Sequence, residues 1–220
     1  MTEALFLATV AFVAVAFLAG ARRLGSRAYV YTAACLALWL AFTAALARSG
    51  WMAGFDARPP HFFVVMAPTA LATLALAASP FGERLAGRTP WPWLIGFQVF
   101  RLPLEIVLAQ LATAGIAPPQ MTWHGWNFDV LTGLSAPFVA WLLGQNKLGP
   151  RGIALWSLAG LALLANVVTI AILSAPTPLR VFTNEPANTF VASWPWVWLP
   201  TCLVPAALFG HLLAFRKLRR

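Results

Sequence analysis

A succession of long, uninterrupted apolar stretches leaves this chain few ways to fold. Seven of them, at 4–20, 29–47, 61–80, 93–114, 128–144, 153–174 and 196–214, take up most of the 220 residues. A helix needs about 20 apolar residues, within a range of ~17–25, to cross the hydrocarbon of a bilayer. Each stretch meets that measure. The connectors run from about 8 to 21 residues, too short to hold a separate domain. Barrel strands alternate apolar and polar positions, and these stretches do not. The expectation is an all-α polytopic membrane protein, one domain over residues 1–220 built as a bundle of seven transmembrane helices.

Composition enters as a check on that reading. Hydrophobic residues make up 60% of the chain and charged ones 10%, against about 45–50% and 25% in soluble domains. A soluble globule of this size has too little interior for so much apolar surface, and a disordered chain has the opposite balance. A cytosolic enzyme and a disulfide scaffold are excluded on the same ground. Cys35 and Cys202 lie inside apolar stretches, form no CxxC pair and have no histidine at zinc spacing. They read as small buried hydrophobes.

The net charge of +9 would suggest nucleic acid in a soluble protein. Here its distribution matters more, and no nucleic-acid partner is expected. One set of connectors, with the C-terminal tail, carries Arg22, Arg23, Arg27, Arg84, Arg88, Lys147, Arg151, Arg216, Lys217, Arg219 and Arg220. The opposite set carries Arg48, Arg58 and Arg180. Basic residues collect on the cytoplasmic side, so the N-terminus is expected outside and the C-terminus inside. The first stretch has Glu3 before it and Arg22-Arg23 after it, the reverse of a secretory signal. Tryptophans cluster at both sets of stretch ends, as interfacial belts do. The setting expected is a multi-pass protein of a bacterial inner membrane, with the lipid bilayer as its first partner.

Ala33, Ala37, Ala41 and Ala45 recur at four-residue spacing in the second stretch. Small residues so spaced let helices approach closely. Packing within the monomer is expected, with contact to a membrane partner subunit as the alternative.

Polar residues inside apolar stretches carry most of the functional information. Gln98, Arg101 and Glu105 share one face of the fourth stretch, and Pro103 interrupts it between the two charges. An unpaired arginine at mid-depth costs about 3 kcal/mol, so Arg101 needs a partner. Glu105 is the nearest candidate in sequence. Asp129, Asn166 and Thr201 fall in the outer half of their stretches. Two outer connectors face the same side: 115–127, with His124 and Asn127, and 175–195, with Arg180, Asn184 and Glu185. Together they suggest a lid over a polar pocket.

Other chemistries find no support. The depths of His61, His124 and His211 do not place facing pairs for haem or metal, so no metal and no cofactor is expected. HExxH, GxSxG, GxGxxG and phosphate-loop motifs are missing, and no lysine falls within a stretch to bind retinal. The leading expectation is a pocket that binds or moves a small solute or proton, lined by Arg101, Glu105, Asp129, Asn166, Thr201, Gln98, His124 and Asn127. An intramembrane enzyme acting on a lipid-like substrate, with Glu105 or Asp129 as acid or base, is the first alternative. An accessory or scaffold subunit of a membrane complex is the second.

Overall fold

A computed structural model describes residues 1–220. The protein is helical and has no strands. Six helices are long and apolar enough to cross a membrane: Thr2–Arg22, Ser26–Arg48, His61–Ala78, Trp91–Thr113, Pro150–Ser174 and Leu199–Leu218. The remaining apolar helix, Val130–Gly144, has 15 residues. At 1.5 Å rise per residue it is about 22 Å long, short of the ~30 Å of a hydrocarbon core. Seven full-length helices were expected, and this one departs from the expectation.

The first two helices form a hairpin. In α1 (Thr2–Arg22), Glu3 in the first turn and Arg22 in the last complement the helix dipole. The turn into α2 (Ser26–Arg48) uses Gly25 at φ 121°, a backbone angle that suits glycine. α3 (His61–Ala78) stops two residues earlier than the apolar pattern suggested. Ser79 caps the next helix by accepting a hydrogen bond from the Gly82 N–H (3.3 Å), and Pro80 takes its first position. That helix, α4 (Pro80–Arg88), is amphipathic. It buries Gly82, Leu85 and Ala86 and exposes Glu83, Arg84 and Arg88.

Two of the long helices are irregular, each beside a proline. The fourth apolar stretch comprises α5 (Trp91–Gly96), a 3-10 turn (Phe97–Phe100) and α6 (Arg101–Thr113). Restarting the α-helix at Arg101 puts Pro103 in its first turn, where a missing N–H leaves no carbonyl of that helix unpaired. The last stretch opens as a π-turn (Leu199–Leu203) before α9 (Val204–Leu218). Pro205 has no N–H for the Thr201 carbonyl, and the Trp39 indole of α2 donates to that carbonyl instead (2.9 Å).

α9 is the hub. α3, α4, α5 and α8 (Pro150–Ser174) all pack on it, while α1 packs on α2 and α6, and α7 (Val130–Gly144) on α5. The core has one cluster around Phe6, Phe100 and Leu203 and a second, nearer the basic connectors, around Leu94, Phe209 and Leu213. α2 lies at the periphery. Ala37, Ala41 and Ala45 are exposed there, so the alanine stripe is not packed within the monomer as expected. Cys202 is buried, but Cys35, on the same outlying helix, is exposed.

The basic connectors gather at one end of the bundle. Arg88 Nη1 donates to the Arg23 carbonyl (3.0 Å), and Lys217 Nζ to those of Ala86 (2.9 Å) and Thr89 (2.6 Å). Arg216 and Arg220 both bond the Glu83 carboxylate.

At the opposite end, irregular backbone enters the bundle. Ala117, Met121, Thr122 and Asn127 are buried, as are Asn188, Val191, Ala192 and Val197. These segments precede α7 and the π-turn. Non-helical backbone at this depth is tolerated where protein covers it. Amide side chains tie it down: Gln120 Nε2 donates to Ser174 Oγ (2.8 Å), and Asn184 Nδ2 to Gln120 Oε1 (2.8 Å). Asn188 Nδ2 reaches the Ala171 carbonyl (2.9 Å). In the same region Arg180 donates to Glu185, which holds that exposed carboxyl below its usual range.

Candidate functional site

Near the middle of the fourth apolar stretch, four charged and amide side chains meet in the interior. Arg101 and Glu105 lie one helical turn apart on α6 and are each 1% exposed. The short loop ahead of α7 supplies Asn127 and Asp129, which are 0% and 4% exposed. Arg101 Nη1 donates to Asp129 Oδ1 (2.5 Å) and to the Gly160 carbonyl of α8 (3.3 Å). The partner of Arg101 is thus Asp129, not Glu105. Asp129 occupies the N-cap position of α7, yet its side chain does not cap the helix.

Asn127 organises the rest. Its Oδ1 accepts the Asp129 N–H (2.9 Å), while Nδ2 donates to Glu105 Oε1 (2.7 Å) and to the Met121 carbonyl (2.9 Å). One amide therefore fixes the loop, the carboxyl of Glu105 and the start of α7.

Glycines allow this approach. A Cβ at Gly133 would run into the backbone of Arg101 and Leu102, so α7 touches α6 only because that position is bare. A Cβ at Gly160 would strike the His211 ring, and one at Gly210 the Gln98 amide.

The centre is incompletely satisfied. Arg101 Nε and Nη2 and Glu105 Oε2 are buried without a hydrogen-bond partner in the protein. So are Thr132 Oγ1, Ser157 Oγ, Gln98 Oε1 and both ring nitrogens of His211. Buried polar atoms are normally paired. A cavity of about 340 Å³ reaches Arg101, Glu105 and Asp129. Otherwise its wall is mainly apolar, with Phe63 and Met66 of α3 facing Val167 and Val168 of α8. α3 and α8 both pack on α9 but share no substantial contact with each other. Ala67 and Ala70 are exposed along this gap, which opens the cavity sideways.

Of the residues expected to line a site, the structure brings Arg101, Glu105, Asn127 and Asp129 together. Gln98 is buried one turn below and donates to the Ala207 carbonyl (3.0 Å). Asn166 donates to the Trp126 carbonyl (2.7 Å), joining α8 to the loop outside the centre. Thr201 turns its hydroxyl back to the Val197 carbonyl (2.7 Å). His124 is exposed and accepts from the Trp123 indole (2.8 Å). His211 was not among the residues expected at a site; it is 1% exposed, against Trp156 and beside Gly160, whose carbonyl accepts from Arg101. Gly160 and Gly210 were the available signal, since bare positions on α8 and α9 admit large neighbours.

A family model described as "Domain of unknown function (DUF8737)" matches residues 59–219. The chain belongs to that family. α3 to α9, and with them every residue of the polar centre, fall within the matched segment. α1 and α2 precede it. No curated protein and no solved structure matches the chain.

Proposed function

We propose that this protein crosses a membrane seven times, N-terminus outside and C-terminus inside, and binds a small solute with an apolar body in the cavity beside Arg101. α7 makes the short crossing, completed on the outer side by the buried loop before it. The gathering of basic residues at one end supports the orientation.

The observation that carries the binding reading is a set of unpartnered polar atoms on two residues that line the cavity, Arg101 and Glu105. Arg101 Nε and Nη2 can donate and Glu105 Oε2 can take part in a further hydrogen bond, with the ion pair to Asp129 holding the guanidinium in place. A solute whose polar end both donates and accepts satisfies these groups, and its apolar body lies along the groove between α3 and α8. The sideways opening favours a solute that partitions into the bilayer.

The test is thermal stabilisation of the purified protein by a panel of amphiphilic alcohols, ketones and acids. At least one class is expected to raise the melting temperature of the wild type, with the rise lost in Glu105→Gln and after Ala67→Trp, which closes the groove. A panel that stabilises wild type and both variants alike overturns the proposal.

A further inference from the structure

The second cavity lies at the basic end of the bundle, apart from the polar centre. It encloses about 430 Å³ between α1, α4, α5 and α9. Its floor is aromatic and aliphatic, with Phe12 and Phe17 from α1, Phe97 from the 3-10 turn and Phe209 from α9. Its mouth is cationic. Arg23 lines it and lies 5.6 Å from the Trp93 ring centroid. Arg88 Nη1 donates to the Arg23 backbone carbonyl, so a second arginine is anchored at the edge of the cavity next to the first. Neither arginine has a carboxylate partner. Glu83, the acid of α4, is already bonded by Arg216 and Arg220.

Both arginines are exposed and lack a carboxylate, so an anion at this edge of the cavity is attracted by two uncompensated positive charges. Depth gives the rest of the ligand. From Arg23 to Phe12 along α1 is about 16 Å at 1.5 Å per residue, close to half of a ~30 Å hydrocarbon core. A site with cations at the interface and one leaflet of apolar wall beneath them matches an amphiphile whose head is an anion and whose tail is an acyl chain.

We infer that this cavity is a binding site for an anionic phospholipid, its phosphate held between Arg23 and Arg88 and one acyl chain lying against Phe12, Phe17, Phe97 and Phe209. Trp93, stacked near Arg23, marks the boundary between head and tail. The bound lipid fills the space between α1 and α4 and joins the first hairpin to the rest of the bundle.

Native mass spectrometry of the full chain in mild detergent tests this, with dioleoyl phosphatidylglycerol and dioleoyl phosphatidylcholine added separately. The wild type is expected to retain one phosphatidylglycerol about tenfold more tightly than phosphatidylcholine. Arg23→Gln with Arg88→Gln changes only exposed charges and is expected to bring the two lipids to parity. Ala16→Phe fills the cavity and keeps the charges, and is expected to lose both lipids from this site. Equal retention of the two lipids by the wild type, meaning annular lipid only, overturns the inference. So does undiminished phosphatidylglycerol retention in either variant. Glu105→Gln is expected to leave lipid retention unchanged, so this reading and the solute pocket fail independently.

Discussion

Arg101 and Asp129 form a buried pair whose value depends on both members. Removing one partner of such a pair commonly costs about 3–5 kcal/mol because the other charge is left stranded, while replacing both with apolar groups of similar size is often close to neutral. Arg101→Met and Asp129→Leu are each expected to lower unfolding stability in detergent by that order, and the double variant to recover most of the loss. Additive losses in the double variant would show that the two side chains do not act as a pair. Asn127→Leu strips partners from Glu105, the Met121 carbonyl and the Asp129 N–H, and is expected to cost roughly 3 kcal/mol by the same measurement. At this scale the sequence was partly legible. Arg101 and Glu105 announced themselves because charges in apolar stretches are costly. The identity of the partner was hidden, because Asp129 is 28 residues away and reaches Arg101 only through the path of an uncharged loop. His211 was hidden for a related reason: its neighbours come from α8.

Elements were legible in their extent more than in their depth. The apolar pattern placed the start of α7 within two residues of its observed first residue, Val130. It did not show that the helix begins beside Asp129 at the level of the polar centre, with the preceding loop buried above it. Hydropathy measures how apolar a segment is, and a partly buried, uncharged loop carrying Trp123 and Trp126 reads as interfacial chain. Prolines were a mixed guide: Pro68 and Pro137, also expected to break their stretches, lie inside the unbroken α3 and α7. Pro103 and Pro205 each mark a departure from the α-helix, and in both cases the backbone adapts locally. Gly133→Val tests the contact that α7 depends on. The added side chain meets the α6 backbone, and overpacking of this kind is expected to cost about 1–3 kcal/mol. Chemical crosslinking between cysteines placed on α6 and α7 should weaken in parallel; an unchanged crosslink would mean that α7 does not need the close approach.

For the whole molecule, the basic end is fastened by its own C-terminal tail. Arg220 first and Arg216 second bond Glu83 and hold its carboxyl below the ordinary value of 4.5. A depressed acid contributes its full share above that ordinary value and loses it as pH falls through the lower folded-state value. The separation between spin labels on α4 and on the tail is therefore expected to widen as pH falls below the ordinary carboxylate value, and to be insensitive to acid in Glu83→Gln. High salt should produce the same loosening at neutral pH, since these groups are exposed. A tail that stays in place at low pH would assign its docking to Lys217 and the carbonyls of α4 instead.

The buried irregular segments opposite the basic end give the bundle two unlike halves. Towards the basic end the backbone is paired within continuous helices. Towards the other, the fastening is by isolated backbone bonds, such as Asn188 N–H to the Ser174 carbonyl, and by amide side chains, from Gln120 to Ser174, from Asn184 to Gln120, and from Asn188 to Ala171. Each such bond can be undone singly, without unwinding a helix. Deuterium should therefore enter the two irregular segments well before the helices beneath them, and the protein should come apart from that rim downward, like a jar losing its stopper while the walls still stand.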